Sequence, residues 1–197
     1  MEPVVSAVLL AAGTSSRMGR TKQLLPLGSK TVIRHCLDPL VAAGITDIAV
    51  VINPRSGGIA EALHGMPVTV AVNDALSSEM AESIRAGLRS LKCASSGILV
   101  CLSDHPLVRA RTITALIGEH RGNPGSIIIP AYLGRRGHPT LFPVKIIHEI
   151  FSGVTLRDII RKDAARVRTA AVDDEGTILD MDTEEDYRAM VDKIERK

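Results

Sequence analysis

The sequence predicts a Rossmann-like three-layer α/β fold with a mostly parallel central sheet, and three observations carry that prediction. Its apolar runs are short and nearly unbroken rather than alternating, as in residues 4–12 and 47–53, the pattern of strands buried on both faces. Segments with helical apolar spacing separate these runs, so strand and helix alternate as in right-handed βαβ units. The first run breaks into a small, hydroxyl-rich, cationic loop, Gly13-Thr14-Ser15-Ser16-Arg17-Met18-Gly19-Arg20-Thr21-Lys22. In an open α/β sheet, that is where ligands bind.

Residues 31–43 place Val32, Ile33, Cys36, Leu37, Leu40 and Val41 at helical spacing; Pro39 predicts a kink or restart near Asp38, and Gly44 ends the helix. A second buried strand covers 47–53, closed by Pro54 and the Gly57-Gly58 pair, with a short helix at 59–64 and a third strand at 68–72. Met80, Ile84, Leu88 and Leu91 mark one face of the next helix. A fourth strand at 98–102 and a helix lined by Ile113, Leu116, Ile117 and His120 follow. From Ser126 the rhythm changes. A strand at 126–130 leads to a hairpin or irregular extension at 134–143, then a small helix marked by Leu156, Ile159 and Ile160. Strands at 167–172 and 177–179 precede a last helix with Tyr187, Met190, Val191 and Ile194 along one stripe. No linker or repeat interrupts this, so one domain is expected over 1–197, with a front half near 1–122 and a back half near 123–197 that the resemblance set out below makes nucleotide-binding and acceptor-binding.

Composition narrows the function. The 197 residues suffice for one well-cored domain. A net charge of +2, two Tyr, two Phe and no Trp supply neither a basic field nor a stacking platform, which argues against nucleic acid as partner. Cys36, Cys93 and Cys101 form no C-x-x-C pair and read as buried thiols, with zinc ligation or disulfides the lesser alternative. No apolar run approaches a membrane span, and no basic segment precedes the first run as in a signal peptide, so a cytoplasmic protein is expected.

Small residues in the first loop let backbone N–H groups face a polyphosphate, while Arg17 and Lys22 supply charge. It is not a Walker loop, because Gly19 is followed by Arg20, and it lacks the three glycines of a dinucleotide fingerprint. Asp104, just past the fourth strand and before Pro106, can hold Mg²⁺ between phosphates or simply cap the next helix.

Leu10, Ala12, Gly13, Ser15, Arg17, Met18, Gly19, Lys22, Leu24, Leu25 and Pro26 together resemble the L-x-A-G-x-S-x-R-M-G-x-x-K-x-L-L-P signature of the MobA-like nucleotidyltransferases that load molybdenum cofactor. Further matches follow in order along the chain. Ser103-Asp104-His105-Pro106 stands where the family has an Asp-Gln-Pro type motif, with His105 as the departure, and Asp180-Met181-Asp182-Thr183-Glu184-Glu185-Asp186-Tyr187 is close to its D-x-D-T-x-E-D-Y. Residues 73–84 resemble the segment that meets base and ribose, although Glu79 stands where glycine is common. Gly137-His138-Pro139, beside Arg135 and Arg136, matches its G-H-P element on the acceptor side. The resemblance implies a molybdenum cofactor cytidylyltransferase: Leu10, Ala11, Ala12, Gly13, Asn73 and Ser83 toward the nucleotide, Arg17 and Lys22 in catalysis, Asp104 and Asp182 on Mg²⁺, Arg136 and His138 toward the acceptor. Thr183 with Asp186 also reads as a capping box, so the acidic cluster has a structural reading too. The implied reaction moves CMP from CTP to the phosphate of molybdopterin, with a molybdoenzyme or its maturation factor as a possible partner. The alternatives are a related transferase using another NTP or a sugar or polyol phosphate, an idle nucleotide-binding maturation factor, and a generic Rossmann oxidoreductase.

Overall fold

A computed structural model describes residues 4–13, 19–54, 57–74 and 79–196. The first apolar run is β1 (Val5–Ala11), buried along its whole length. A 3-10 turn at Lys22–Leu24 precedes a small hairpin, β2 (Pro26–Leu27) and β3 (Lys30–Thr31). Then come α1 (Val32–Ala42), β4 (Ile48–Ile52), α2 (Ile59–Ala62), β5 (Thr69–Val72), α3 (Met80–Ser90), β6 (Gly97–Leu102) and α4 (Ala110–Gly122). The second half supplies β7 (Ile127–Tyr132), β8 (Arg135–Arg136), β9 (Thr140–Pro143), α5 (Val144–Ile147), α6 (Leu156–Lys162), β10 (Val167–Ala171) and α7 (Glu184–Glu195).

The main sheet runs β10-β7-β9-β6-β1-β4-β5, with β8 paired to β7. All neighbouring pairs along that order are parallel except those made by β9, which is antiparallel to both β6 and β7. Chain length explains the exception. The stretch between Tyr132 and Thr140 is too short for the crossover that a parallel return requires, so the chain must turn back.

Side chains of β1 alternate between two layers. Leu9 and Ala11 pack with Leu37 of α1 and Ile113 and Leu116 of α4, whereas Val8 and Leu10 pack with Ile84 of α3, Phe142 and Ile159. A third cluster joins Leu25, Leu27 and Val32 to Met181 and Met190, seating α7 on the β2–β3 hairpin. That last contact carries the acidic segment near residue 182 to the front of the molecule.

Gly87 of α3 marks the tightest helix-to-sheet contact. A Cβ there would lie 2.4 Å from Val8 Cγ1 and 2.9 Å from Val51 Cγ2, both in the buried core. Gly87→Ala is therefore expected to cost about 1–3 kcal/mol through overpacking, despite alanine's better helix propensity. Urea denaturation checks it; a variant as stable as wild type would mean that α3 can shift away from the sheet.

Three sequence expectations need correction, and two elements went unread. Residues 177–179 are not a strand; a 3-10 turn spans Glu175–Thr177, closed by Asp174, whose side chain accepts from the Gly176 N–H and whose carbonyl accepts from Thr177 Oγ1. The helix does not restart near Asp38, because α1 runs on through Pro39 with Leu37 and Leu40 buried on either side. Only one N–H is lost at that proline, and packing offsets it. Cys93 is exposed rather than buried: it follows α3 in a loop whose backbone amides, not its thiol, bind Asp47. The β2–β3 hairpin, turning at Gly28 with φ +62°, and α5 carried no signal that was read.

Candidate active site

The sheet reverses its winding between β1 and β6. From β1 the chain builds outward through β4 and β5, then returns to place β6 on the other flank. The carboxyl ends of β1 and β6 therefore open the crevice where doubly wound sheets bind ligands. Register is set by the Leu10–Leu102 pairing, and the Ser103 N–H donates to the Leu10 carbonyl at 3.1 Å. Ala12 and Gly13 leave the sheet on one side of that crevice, and Asp104 on the other.

Lys22 lies across the opening. Its side chain is 11% exposed, and Nζ stands 3.4 Å from Asp104 Oδ2, 3.3 Å from Asp182 Oδ1 and 3.0 Å from the Met181 carbonyl oxygen. These carboxylates lie 82 and 160 residues away in sequence. A fixed scaffold brings them here. Gln23, fully buried beside Lys22, donates Nε2 to Ser103 Oγ at 3.1 Å, and the Met181 N–H donates to the Asp104 carbonyl at 2.9 Å. The start of α7 is held as well: Thr183 and Asp186 form a reciprocal capping box, the Asp182 N–H donates to Asp186 Oδ2, and Arg20 pairs with Glu184 at 2.7 Å. Capping thus uses Thr183 and Asp186, which leaves the Asp182 carboxylate directed toward Lys22. Asp104 is no helix cap either, since α4 begins at Ala110.

The MobA-like NTP transferase domain model matches residues 7–167, which run from β1 through the start of β10. The chain belongs to that family. Across 95% of this chain and 97% of the other, it is 30% identical to a protein named nicotine blue oxidoreductase from Paenarthrobacter nicotinovorans. A nucleotidyl transferase from Methanothermobacter thermautotroptrophicus superposes with a TM-score of 0.85 at 25% identity, covering 98% of both chains. A Mycobacterium tuberculosis H37Rv protein solved in complex with manganese gives 0.79 at 26% identity over 98% of this chain and 100% of that one.

In this MobA-like NTP transferase the residues present suit a divalent cation. Asp104 Oδ1 is buried without a hydrogen-bond partner among the described residues, and His105 Nε2, 3.7 Å away, is beyond hydrogen-bonding range. Among the described residues no three His, Cys, Asp or Glu side chains gather as a complete cage. A hard ion held by one or two carboxylates plus substrate phosphates needs no such cage.

Of the residues expected to meet a nucleotide, Leu10 and Ala11 are buried, so what the strand end can offer is backbone. Asn73 lies beyond β5, its N–H donating to the Ile52 carbonyl and its Nδ2 donating to Ser83 Oγ at 2.8 Å, both side chains buried. The two residues are thus brought together, and Glu79 beside them is exposed. Arg17, with Ser15 and Met18 of the motif, lies outside the described residues.

Of the residues expected to meet an acceptor, Arg136 is exposed on β8. His138 turns inward, its N–H donating to the Thr177 carbonyl at 2.8 Å. Gly137 is obligatory there, because a Cβ would stand 2.1 Å from that same carbonyl oxygen. The His138 and His105 rings lie 5.1 Å apart. Burial, and then the neighbouring His105, push the His138 pKa down to about 4, so it is neutral near pH 7 and offers hydrogen bonds rather than charge. Both Nδ1 atoms are buried without hydrogen-bond partners among the described residues, beside a cavity of about 20 Å³ also lined by Cys36 and Cys101, room for one water.

Sequence reasoning missed Gln23, although its place beside Lys22 in the motif could have flagged it. The Met181 and Thr177 carbonyls left no trace, because backbone atoms carry no side-chain signature.

Proposed function

We propose that this chain transfers CMP from CTP to the phosphate of a molybdopterin-type acceptor, releasing pyrophosphate and using Mg²⁺. The observation that carries the reading is the meeting of Lys22 with Asp104 and Asp182 beyond the end of β1. A divalent ion bound by the two carboxylates would offset the phosphates' charge. Backbone amides after β1 hold the triphosphate, and the Lys22 ammonium stabilises negative charge as it develops on the leaving group. An oxygen of the acceptor phosphate bonds to the α-phosphorus while that phosphorus loses the bridging oxygen to the β-phosphate. The electron pair departs with pyrophosphate. No covalent enzyme intermediate is required, because position and charge supply the catalysis. Arg17 adds charge to the phosphates, Arg136 faces the acceptor phosphate, and neutral His138 hydrogen-bonds the acceptor. Asn73 and Ser83 read the base edge, and the Ala12 methyl narrows the space for a purine.

Pyrophosphate release tests this reading. CTP, Mg²⁺ and molybdopterin cofactor together should give turnover, with GTP and ATP slower by about tenfold or more. Silence with every pairing of NTP and phosphorylated acceptor, sugar and polyol phosphates included, would overturn transferase activity and leave a nucleotide-binding maturation factor.

One observation favours a second reading, the 30% identity over nearly the whole chain to a protein named as an oxidoreductase. Oxidation of NAD(P)H in the presence of nicotine blue, without nucleotide transfer, would select it.

A further inference from the structure

We propose that Gln23 and Ser103 are a positioning pair for the transfer, their buried hydrogen bond fixing how far the Lys22 ammonium stands from the Asp104 carboxylate. The inference rests on the transferase reading above. Two contacts run side by side here, one residue apart at each end. Gln23 follows Lys22 and Ser103 precedes Asp104, so the 3.1 Å bond from Gln23 Nε2 to Ser103 Oγ forms a strut directly behind the 3.4 Å pair in the crevice. Both ends of the strut are anchored. Lys22 and Gln23 share a 3-10 turn closed by the Leu25 N–H donating to the Lys22 carbonyl, and three residues per turn send their side chains in different directions. Ser103 donates its N–H to the Leu10 carbonyl at the end of β1, and its own carbonyl accepts from Cys36 Sγ of α1 at 3.6 Å. Both side chains are buried, so the pair acts through Lys22 and Asp104 rather than on a ligand. Stability alone does not account for a polar bond at this place. Gln23 Oε1 is buried without a hydrogen-bond partner among the described residues, a cost that two apolar side chains of the same shape would not carry. What a hydrogen bond adds over an apolar contact is a set length and direction. Near reacting atoms that matters, because a misplacement of about 1 Å can cost ~100-fold in rate.

The test compares the full-length wild type with Ser103→Ala and with the double variant Gln23→Leu/Ser103→Ala. The single change strands the Gln23 amide, whereas the double change removes both partners and should melt closer to wild type. A merely structural bond predicts that turnover recovers with stability. A positioning pair predicts that it does not: kcat for pyrophosphate release should stay ~10- to 100-fold below wild type in both variants, with the KM for CTP within ~3-fold, the pattern of a contact that matters in the transition state. A second readout is independent of turnover. Acetylation by acetic anhydride, mapped by mass spectrometry, reports how firmly Lys22 is held. Relative to exposed Lys145, Lys22 should label at least ~5-fold faster in both variants than in wild type, because a loosened turn opens more often. A double variant whose turnover returns to within about threefold of wild type overturns the proposal, and so does unchanged labelling of Lys22 in both variants. A wild type that releases no pyrophosphate with any NTP and acceptor overturns the transferase reading instead, and the labelling then decides by itself whether the strut holds Lys22.

Discussion

Lys22→Ala is expected to lower turnover about 100- to 1,000-fold, the loss that follows removal of one preorganised stabilising group from a transition state. The ammonium bridges the loop after β1 and both acidic segments, and no other described Lys or Arg stands within ion-pair range of Asp182 or Asp104. The fold should survive. Asp104 and Asp182 are 25% and 40% exposed on their side chains, so water can take over part of their solvation. The stability cost is then about 1–2 kcal/mol, below the 3–5 of a fully buried pair left broken. Steady-state pyrophosphate release, with circular dichroism to confirm folding, measures both. Turnover within threefold of wild type would remove Lys22 from the mechanism.

The largest expected loss of stability lies behind the site. Asp174, 1% exposed, accepts from the Arg109 N–H at 2.9 Å, Thr112 Oγ1 at 2.5 Å and the Gly176 N–H at 3.2 Å, with Arg109 Nε 3.8 Å away. It serves as a remote cap for α4, whose own N-cap residue Arg109 makes no side-chain capping bond. It also closes the turn that presents the Thr177 carbonyl to His138. Asp174→Ala leaves buried donors without partners, which should cost about 3 kcal/mol and lower the melting temperature by roughly 6–12 °C for a chain of this size. A thermal melt decides it. A drop below about 2 °C would mean that water replaces the carboxylate freely.

Much of this was readable because burial writes itself into composition. Strands enclosed on both faces must be apolar at consecutive positions, so β1, β4 and β6 stood out as runs, and the small cationic loop stood out against them. Asp104 was legible from its place two residues past a strand end. Asp182 was ambiguous, because a capping box and a ligand set draw on the same acidic residues; the geometry shows Thr183 and Asp186 doing the capping. The glycine at position 137 reads as loop flexibility until the Thr177 carbonyl is seen against it. Asp174 went unread, since nothing local announces that it caps a helix starting 64 positions earlier (174 − 110).

By itself, the order of residues determined the α/β class, the alternation of strands and helices, and the loop chemistry after β1, because each is a local consequence of side-chain size, polarity and spacing. Tertiary structure alone decided that β9 inserts between β7 and β6, that His138 faces His105, and that one ammonium sits between two aspartates remote in sequence. Such juxtapositions come from the packing of whole layers, from α7 settling on the β2–β3 hairpin and β6 lying beside β1, and those forces act between segments that share no local pattern.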